Sequence, residues 1–301
     1  MGEPVRLGQR NLAVAINPHH AREAQLSGDP IHDPGQVIHQ ATVPLGHVTL
    51  PGAMSQHGRV LLKACLNGTR GRAEHPMCPL NPEELAEDGH AAVRAGAGAL
   101  HIHPRREDGA ETLEASHVSA ALRAMRDRVS VPIGVTTGEW ILPGPSERLR
   151  AVHRWTVLPD FASVNFHEPE AGEIAAALLE RGVGVEAGTW TPHAAGLLAR
   201  SGLADRCLRF LFEPMDETLA AATSTVGAIE RVLDGVAPEV PRLLHGFETT
   251  AWPILDLAES LGYDTRIGLE DTVRLPDGEL AADNAQLVRT AAARLAPCDP
   301  Q

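Results

Sequence analysis

Aromatic residues are scarce: Phe, Trp and Tyr make up only 3% of the 301 residues. A packed interior must therefore be built from Ala, Leu and Val. Positive charge is also short, 26 Lys and Arg against 39 Asp and Glu, for a formal net charge of −13. That balance argues against a nucleic-acid binder, which needs a basic face. The four cysteines, Cys65, Cys78, Cys207 and Cys298, form no C-x-x-C pair. Neither a thiolate zinc site nor a disulfide framework is indicated, and a reducing cytoplasm is the simplest compartment. No apolar run reaches the roughly 20 residues of a membrane helix, which argues against a membrane protein. Glu3, Arg6 and Arg10 flank no long apolar core, so the pattern of a signal peptide is missing as well.

What is present is a 43% hydrophobic chain, long enough for one large domain. Residues 1–58 are rich in Pro, Gly and His and poor in helical periodicity; they are expected to form an irregular N-terminal extension. Residues 59–301 read as repeated strand, loop and helix. Apolar runs at 60–66, 99–103, 132–136, 161–165, 184–188, 209–213, 242–245 and 266–269 predict eight strands. Helices are predicted near 114–128, 146–155, 172–181, 192–201, 219–233, 251–261 and 282–295. A further helix opens at Asn81-Pro82-Glu83-Glu84, with Asn as cap and Pro in the first turn, and stops at Gly96. Eight strands and eight helices in about 240 residues match a TIM (β/α)8 barrel. The runner-up is a doubly wound open sheet, against which no G-x-G-x-x-G follows the first strand.

A barrel carries its active site at the C-terminal strand ends. Polar residues recur there: Asn67, His101 with His103, Thr136 with Thr137, Asn165, Glu186, Glu213, His245, and Glu270 with Asp271. The pair His101-Ile102-His103 is the strongest of these signals. Residues two apart on a strand share a face, so the two imidazoles converge as metal ligands must. Buried histidines bonded to backbone are the bland alternative. Arg266, Gly268 and Glu270 share one face by the same period, and only one strand separates them from the His pair. Two His and a carboxylate are a common catalytic zinc set with a position left open. Asp271 is expected to point away from Glu270 and to serve as a general base; capping the following turn is the alternative. Asn67, Thr136, Ser163 and Asn165 could hydrogen-bond a substrate, or merely satisfy the backbone. Glu186, in an apolar strand, requires a cationic or hydrogen-bonding partner in the protein or in a ligand. His245 is either a fourth neighbour of the metal or a core histidine, with the core reading preferred.

Several stretches carry a resemblance: P-M-C-P-L-N-P-E-E-L-A (76–86), G-A-G-A-L-H-I-H-P-R-R-E-D-G (96–109), V-T-T-G (135–138), A-S-V-N (162–165), R-I-G-L-E-D (266–271) and D-G-E-L-A-A-D-N-A-Q-L-V (277–288). Across residues 59–296 the chain resembles the β-keto acid cleavage enzymes, a family that includes the 3-keto-5-aminohexanoate cleavage enzymes. The resemblance implies a zinc-dependent barrel that condenses a β-keto acid with acetyl-CoA, giving acetoacetate and a new acyl-CoA, an acyltransferase activity. It places the zinc ligands on His101, His103 and Glu270, the catalytic Asp on Asp271 and the catalytic Arg on Arg266. It places substrate-contacting hydroxyls on Thr136 and Ser163, and the Glu that meets the variable end of the substrate on Glu186. The family's first-strand Glu is missing here, where the chain reads Leu66-Asn67-Gly68-Thr69-Arg70. By analogy the resemblance also implies a homo-oligomer. The alternatives are a zinc hydrolase or lyase that does not use coenzyme A, and a non-catalytic scaffold.

Overall fold

The computed structural model describes residues 60–295, Pro145 apart; the expected N-terminal extension lies outside the described residues. Eight parallel strands close into a barrel in chain order: β1 (Leu62–Cys65), β2 (Ala99–Ile102), β3 (Ile133–Thr136), β4 (Phe161–Asn165), β5 (Gly184–Thr189), β6 (Arg209–Phe212), β7 (Arg242–Leu244) and β8 (Asp264–Ile267), with β8 pairing back onto β1. A helix follows each strand: α1 (Pro82–Ala95), α2 (Ala115–Arg126), α3 (Glu147–Arg154), α4 (Ala171–Glu180), α5 (Pro192–Ser201), α6 (Leu219–Leu233), α7 (Ala251–Leu261) and α8 (Asn284–Arg294). This is the TIM barrel, and its closure removes the open sheet that was the runner-up. Among the described residues no helix is long and apolar enough to cross a membrane.

Local chemistry sets the helix starts. The Asn81 side chain accepts from Glu84 N at 2.9 Å, satisfying an orphan donor of α1, and the Glu84 carboxylate accepts from Leu80 N at 2.9 Å, fixing the chain as it enters the helix. Gly96 ends that helix at φ 122, a conformation costly for any side chain. Asp283 caps α8 in the same manner. The main core lies between sheet and helices, where Ile102, Leu122, Met125, Ile174, Leu178, Ile229, Ile254 and Leu287 are fully excluded from water. Each such side chain contributes about 1.5–3 kcal/mol by burial. Aliphatic side chains dominate this layer, as the shortage of aromatics requires.

The last strand departs from expectation. The apolar run predicts it at 266–269, and it lies two residues earlier, beginning at Asp264. A charged residue can open it because Asp264 Oδ1 accepts from Leu61 N at 2.9 Å and Oδ2 meets Arg209 Nη1 at 3.2 Å. After Ile267 the chain turns: Asp271 N and Thr272 N both donate to Gly268 O, at 2.9 and 3.0 Å. Glu270 therefore sits in a turn, and strand alternation does not aim it.

Candidate active site

β1 separates β2 from β8, with Cys65 beside His101 and Lys63 beside Arg266 in register. This brings three distant residues together at the C-terminal mouth. His101 and His103 are buried, their rings 5.2 Å apart at 79°. Glu270 Oε2 lies 3.8 Å from His101 Nε2 and 3.6 Å from His103 Nε2. Donor atoms of all three lie within 4.8 Å of one another. A tetrahedral ion with bonds of about 2.0–2.2 Å holds its donors about 3.3–3.6 Å apart, so these residues fit a metal with slight closure. Two of the buried atoms, Glu270 Oε2 and His101 Nδ1, have no hydrogen-bond partner. Burial first, and then the nearby His103, Lys63 and Arg266, hold the His101 imidazole well below its ordinary pKa, in the neutral form that metal ligation uses. Gly68, at φ +55, makes the close approach possible: a Cβ there would stand 2.4 Å from Glu270 Cγ.

Behind the His pair is a carboxylate that the sequence reading missed. Glu111 Oε1 meets His103 Nδ1 at 2.5 Å, and both Glu111 oxygens accept from Trp140 Nε1, at 3.2 and 3.1 Å. A carboxylate on the far nitrogen fixes the tautomer and orientation of a metal-binding His. The signal was present in the turn Glu107-Asp108-Gly109, which folds the chain back so that Glu111 pairs with Arg105.

Arg266 joins the two acidic residues after β8. Its Nη2 donates to Glu270 Oε1 at 3.0 Å and to Asp271 Oδ1 at 2.7 Å, and its Nε donates to Asp271 Oδ1 at 3.1 Å. Asp271 thus turns toward the same guanidinium as Glu270, which corrects the expectation that it points away. Its Oδ2 is buried and unpaired. Burial raises the Asp271 carboxyl above its ordinary value, opposed by Arg266 and His245. His245 Nδ1 stands 3.5 Å from Asp271 Oδ1, and its Nε2 stands 3.1 Å from Glu213 Oε2. Burial works to raise Glu213, but His245, Arg266 and Lys63 hold it down at about 2. His245 is therefore part of the cavity wall.

The cavity encloses about 140 Å³ and is lined by His101, His103, Glu270, Arg266, Thr136, Ser163, Asn165, Glu213 and His245, with Trp140, Trp190 and Phe247 among its apolar walls. Thr136, Ser163 and Asn165 thus reach it. Asp271 lies behind Arg266 and His245. Two expected substrate contacts do not reach the cavity. Asn67 is spent on the backbone: Oδ1 accepts from His103 N at 2.9 Å, and Nδ2 donates to His103 O at 2.9 Å and Pro79 O at 3.1 Å. It braces the His103 main chain. Glu186 is fully buried, gripped by Lys63 and by Arg209 Nε at 3.3 Å. Its partners are in the protein because β5 runs on to Thr189, which leaves position 186 deeper in the barrel than its mouth.

Residues 59–298 match the beta-keto acid cleavage enzyme family. The chain is 27% identical over 249 residues to a 3-keto-5-aminohexanoate cleavage enzyme of Fusobacterium nucleatum, covering 76% of this chain and 89% of that protein. It is 24% identical over 258 residues to a 3,5-dioxohexanoate:acetyl-CoA acetone transferase of Paraburkholderia graminis, covering 71% of this chain and 82% of that protein. Among solved structures, the binary complex of ObcA with oxaloacetate aligns with a TM-score of 0.58 at 18% identity, over 72% of this chain and 63% of that one, a likeness of fold. The chain spans less than two thirds of that structure. With the match extending over the whole barrel, the chain belongs to the β-keto acid cleavage enzymes.

Proposed function

We propose that this enzyme exchanges acyl groups between a β-keto acid and acetyl-CoA, releasing acetoacetate and a new acyl-CoA, and that it depends on zinc. The bond between the acyl carbon and C2 of the keto acid breaks, a bond from the acetyl carbon to that C2 forms, and coenzyme A passes from the acetyl to the acyl group. The observation that carries the reading is the meeting of His101, His103 and Glu270 beside the Arg266–Asp271 pair. Support also comes from the names of the two relatives above. His101, His103 and Glu270 would hold the metal, with Glu111 orienting His103. A bound zinc ion supplies a Lewis acid that polarises a keto oxygen.

The remaining work falls to side chains. Asp271 stands behind Arg266 and His245 with its carboxyl made more basic by burial, so it suits accepting, through His245 3.5 Å away, the proton whose removal makes a carbon nucleophile. Arg266 fixes that carboxylate through Oδ1 and offers positive charge to the substrate carboxylate. Thr136, Ser163 and Asn165 present polar groups to the same space. Trp140, Trp190 and Phe247 add apolar surface to the same cavity.

The test is an incubation of zinc-loaded protein with a panel of β-keto acids, with and without acetyl-CoA. Acetoacetate and acyl-CoA should appear together, in equal amounts, and only with acetyl-CoA. Product without acetyl-CoA would establish the hydrolase or lyase reading instead. Protein that takes up no metal and turns over nothing would favour a scaffold.

A further inference from the structure

The cavity has two poles. The metal-ligating set stands where β2 and β8 end, and β6 lies across the closed barrel from β2. On that far side Asn165 ends β4 and Glu213 follows β6. Both line the cavity, and both are 8% exposed. Each is tied back to the protein through one atom. Asn165 Nδ2 donates to Glu168 Oε1 at 2.9 Å, and Glu213 Oε2 faces His245 Nε2 at 3.1 Å. Glu168 is itself held by Arg148, so turning the Asn165 amide over would set its carbonyl against a carboxylate. Asn165 Oδ1 and Glu213 Oε1 take no hydrogen bond from any described residue.

Both free oxygens crowd one place. A Cβ on Gly188, between them on β5, would stand 2.5 Å from Asn165 Oδ1 and 3.0 Å from Glu213 Oε1. Glycine at this position keeps two acceptors converged with no side chain between them. Both oxygens open onto the cavity, so a ligand that covers them without supplying a donor leaves two acceptors unpaired, which is costly, and one that supplies the donor avoids the cost. An apolar ligand end would leave both oxygens dry and unpaired. An anionic end would meet a carboxylate.

We propose that Asn165, Glu213 and Gly188 form the specificity subsite for the variable end of the β-keto acid, and that this end carries a hydrogen-bond donor, a hydroxyl or an ammonium group. The subsite rests on the reaction proposed above. It moves the selecting carboxylate from Glu186 on β5, which Lys63 and Arg209 consume, to Glu213 after β6.

The experiment uses the metal-loaded full chain, saturating acetyl-CoA, and β-keto acids of one length ending in hydroxyl, ammonium, methyl or carboxylate. The better of the two donor-ended acids should exceed the methyl-ended acid in kcat/KM by at least about 100-fold, because a site built to hydrogen-bond a group rejects the analogue that lacks it. The carboxylate-ended acid should be worst, and the hydroxyl and ammonium arms identify the donor. Glu213→Leu should bring the donor-to-methyl ratio to within a few-fold. Gly188→Ala should lower the same ratio by displacing both oxygens, and it serves alone if Glu213→Leu does not fold. A methyl- or carboxylate-ended acid that equals or beats the donor-ended acids, or a ratio that survives both substitutions, overturns the subsite. If no acid in the panel is turned over, the reaction proposed above fails, and calorimetric binding of the same acids without acetyl-CoA decides the subsite. Tighter binding of a donor-ended acid, lost in Gly188→Ala, then upholds it, and equal binding overturns it.

Discussion

Two layers of charge are stacked inside the same barrel, and they differ in one respect. In the lower layer each charge has its opposite. Glu186 is held by Lys63 and Arg209, Arg209 reaches Asp264 Oδ2 at 3.2 Å, and both cations lie over the Phe161 ring, at 5.6 and 6.0 Å. Glu186 Oε1 and Arg209 Nε make no hydrogen bond either, but they face each other as an ion pair at 3.3 Å, whereas in the upper layer the buried atoms Asp271 Oδ2 and Glu270 Oε2 have neither a hydrogen bond nor a Lys or Arg against them. Both layers are equally removed from water, so buried charge does not by itself mark a functional site. The open valences do, where they stand at a cavity, as Glu270 does, or against the residues that line it, as Asp271 does. The lower layer spends its ions on one another and closes the floor. The upper layer leaves donor atoms for something that arrives later.

The contrast breaks most readily at Glu270. Glu270→Ala should reduce bound metal from about one per chain to near zero and abolish turnover, as expected for loss of one of three ligands; elemental analysis of purified protein checks this, and full metal content would remove Glu270 from the set. Asp271→Asn should separate metal binding from chemistry within the upper layer. Metal should stay, and kcat should fall by about 10²–10⁴, the span typical of a lost general base; unchanged kcat would deny Asp271 that role. The lower layer should answer in stability instead. Glu186→Ala strands buried Lys63 and leaves Arg209 with Asp264 alone, and should cost about 3–5 kcal/mol in denaturant unfolding with metal content retained. Loss of metal with stability intact would reverse the roles of the two layers.

Finer tests reach the braces around the upper layer. Glu111→Gln weakens the hold on His103 and should lower metal affinity by about 10–100-fold in chelator competition; equal affinity would make Glu111 a loop contact only. A last test reads only the pH dependence of stability, at Asp88, where Asn284 Nδ2 donates to Asp88 Oδ2 at 2.7 Å and to Leu66 O at 2.8 Å, while Asn284 Oδ1 accepts from Leu269 N at 2.7 Å. Burial lifts Asp88 from its ordinary 3.8 to about 7, against the Asn284 hydrogen bond. The folded chain then keeps a proton that the unfolded chain has already released, so stability falls as pH rises from about 4 to about 7. Asp88→Asn should flatten that slope in thermal melts, and a slope unchanged by the substitution would dismiss the shift.

Much of the barrel was legible because period and punctuation are local. Helices α5, α6 and α7 and strand β4 begin and end where the sequence reading placed them. Pro and Gly mark their ends, and the apolar period marks their faces. β8 was misread by two residues because its opening Asp is made acceptable by partners distant in the chain, Leu61 N and Arg209. At the site, the residue types were legible and their uses were not. Glu186 and Asn67 look like ligand contacts to a reader of one strand. Their partners come from other strands and from the loops after β1 and β2. Glu111 is illegible in the sequence because its role depends on a loop that folds it back on His103.

The chain alone determined the eightfold alternation and the pairing of two imidazoles at a strand end, since both follow from backbone periodicity and side-chain type. Only the closed barrel decided which polar groups are satisfied. Hydrogen bonds and ion pairs reach only a few ångströms, and no reading of one segment shows which distant group stands within that range. Closing β8 onto β1 set Glu270 beside the His pair and gave Glu186 two cations. It left Asn165 and Glu213 facing open space across the mouth from the His pair.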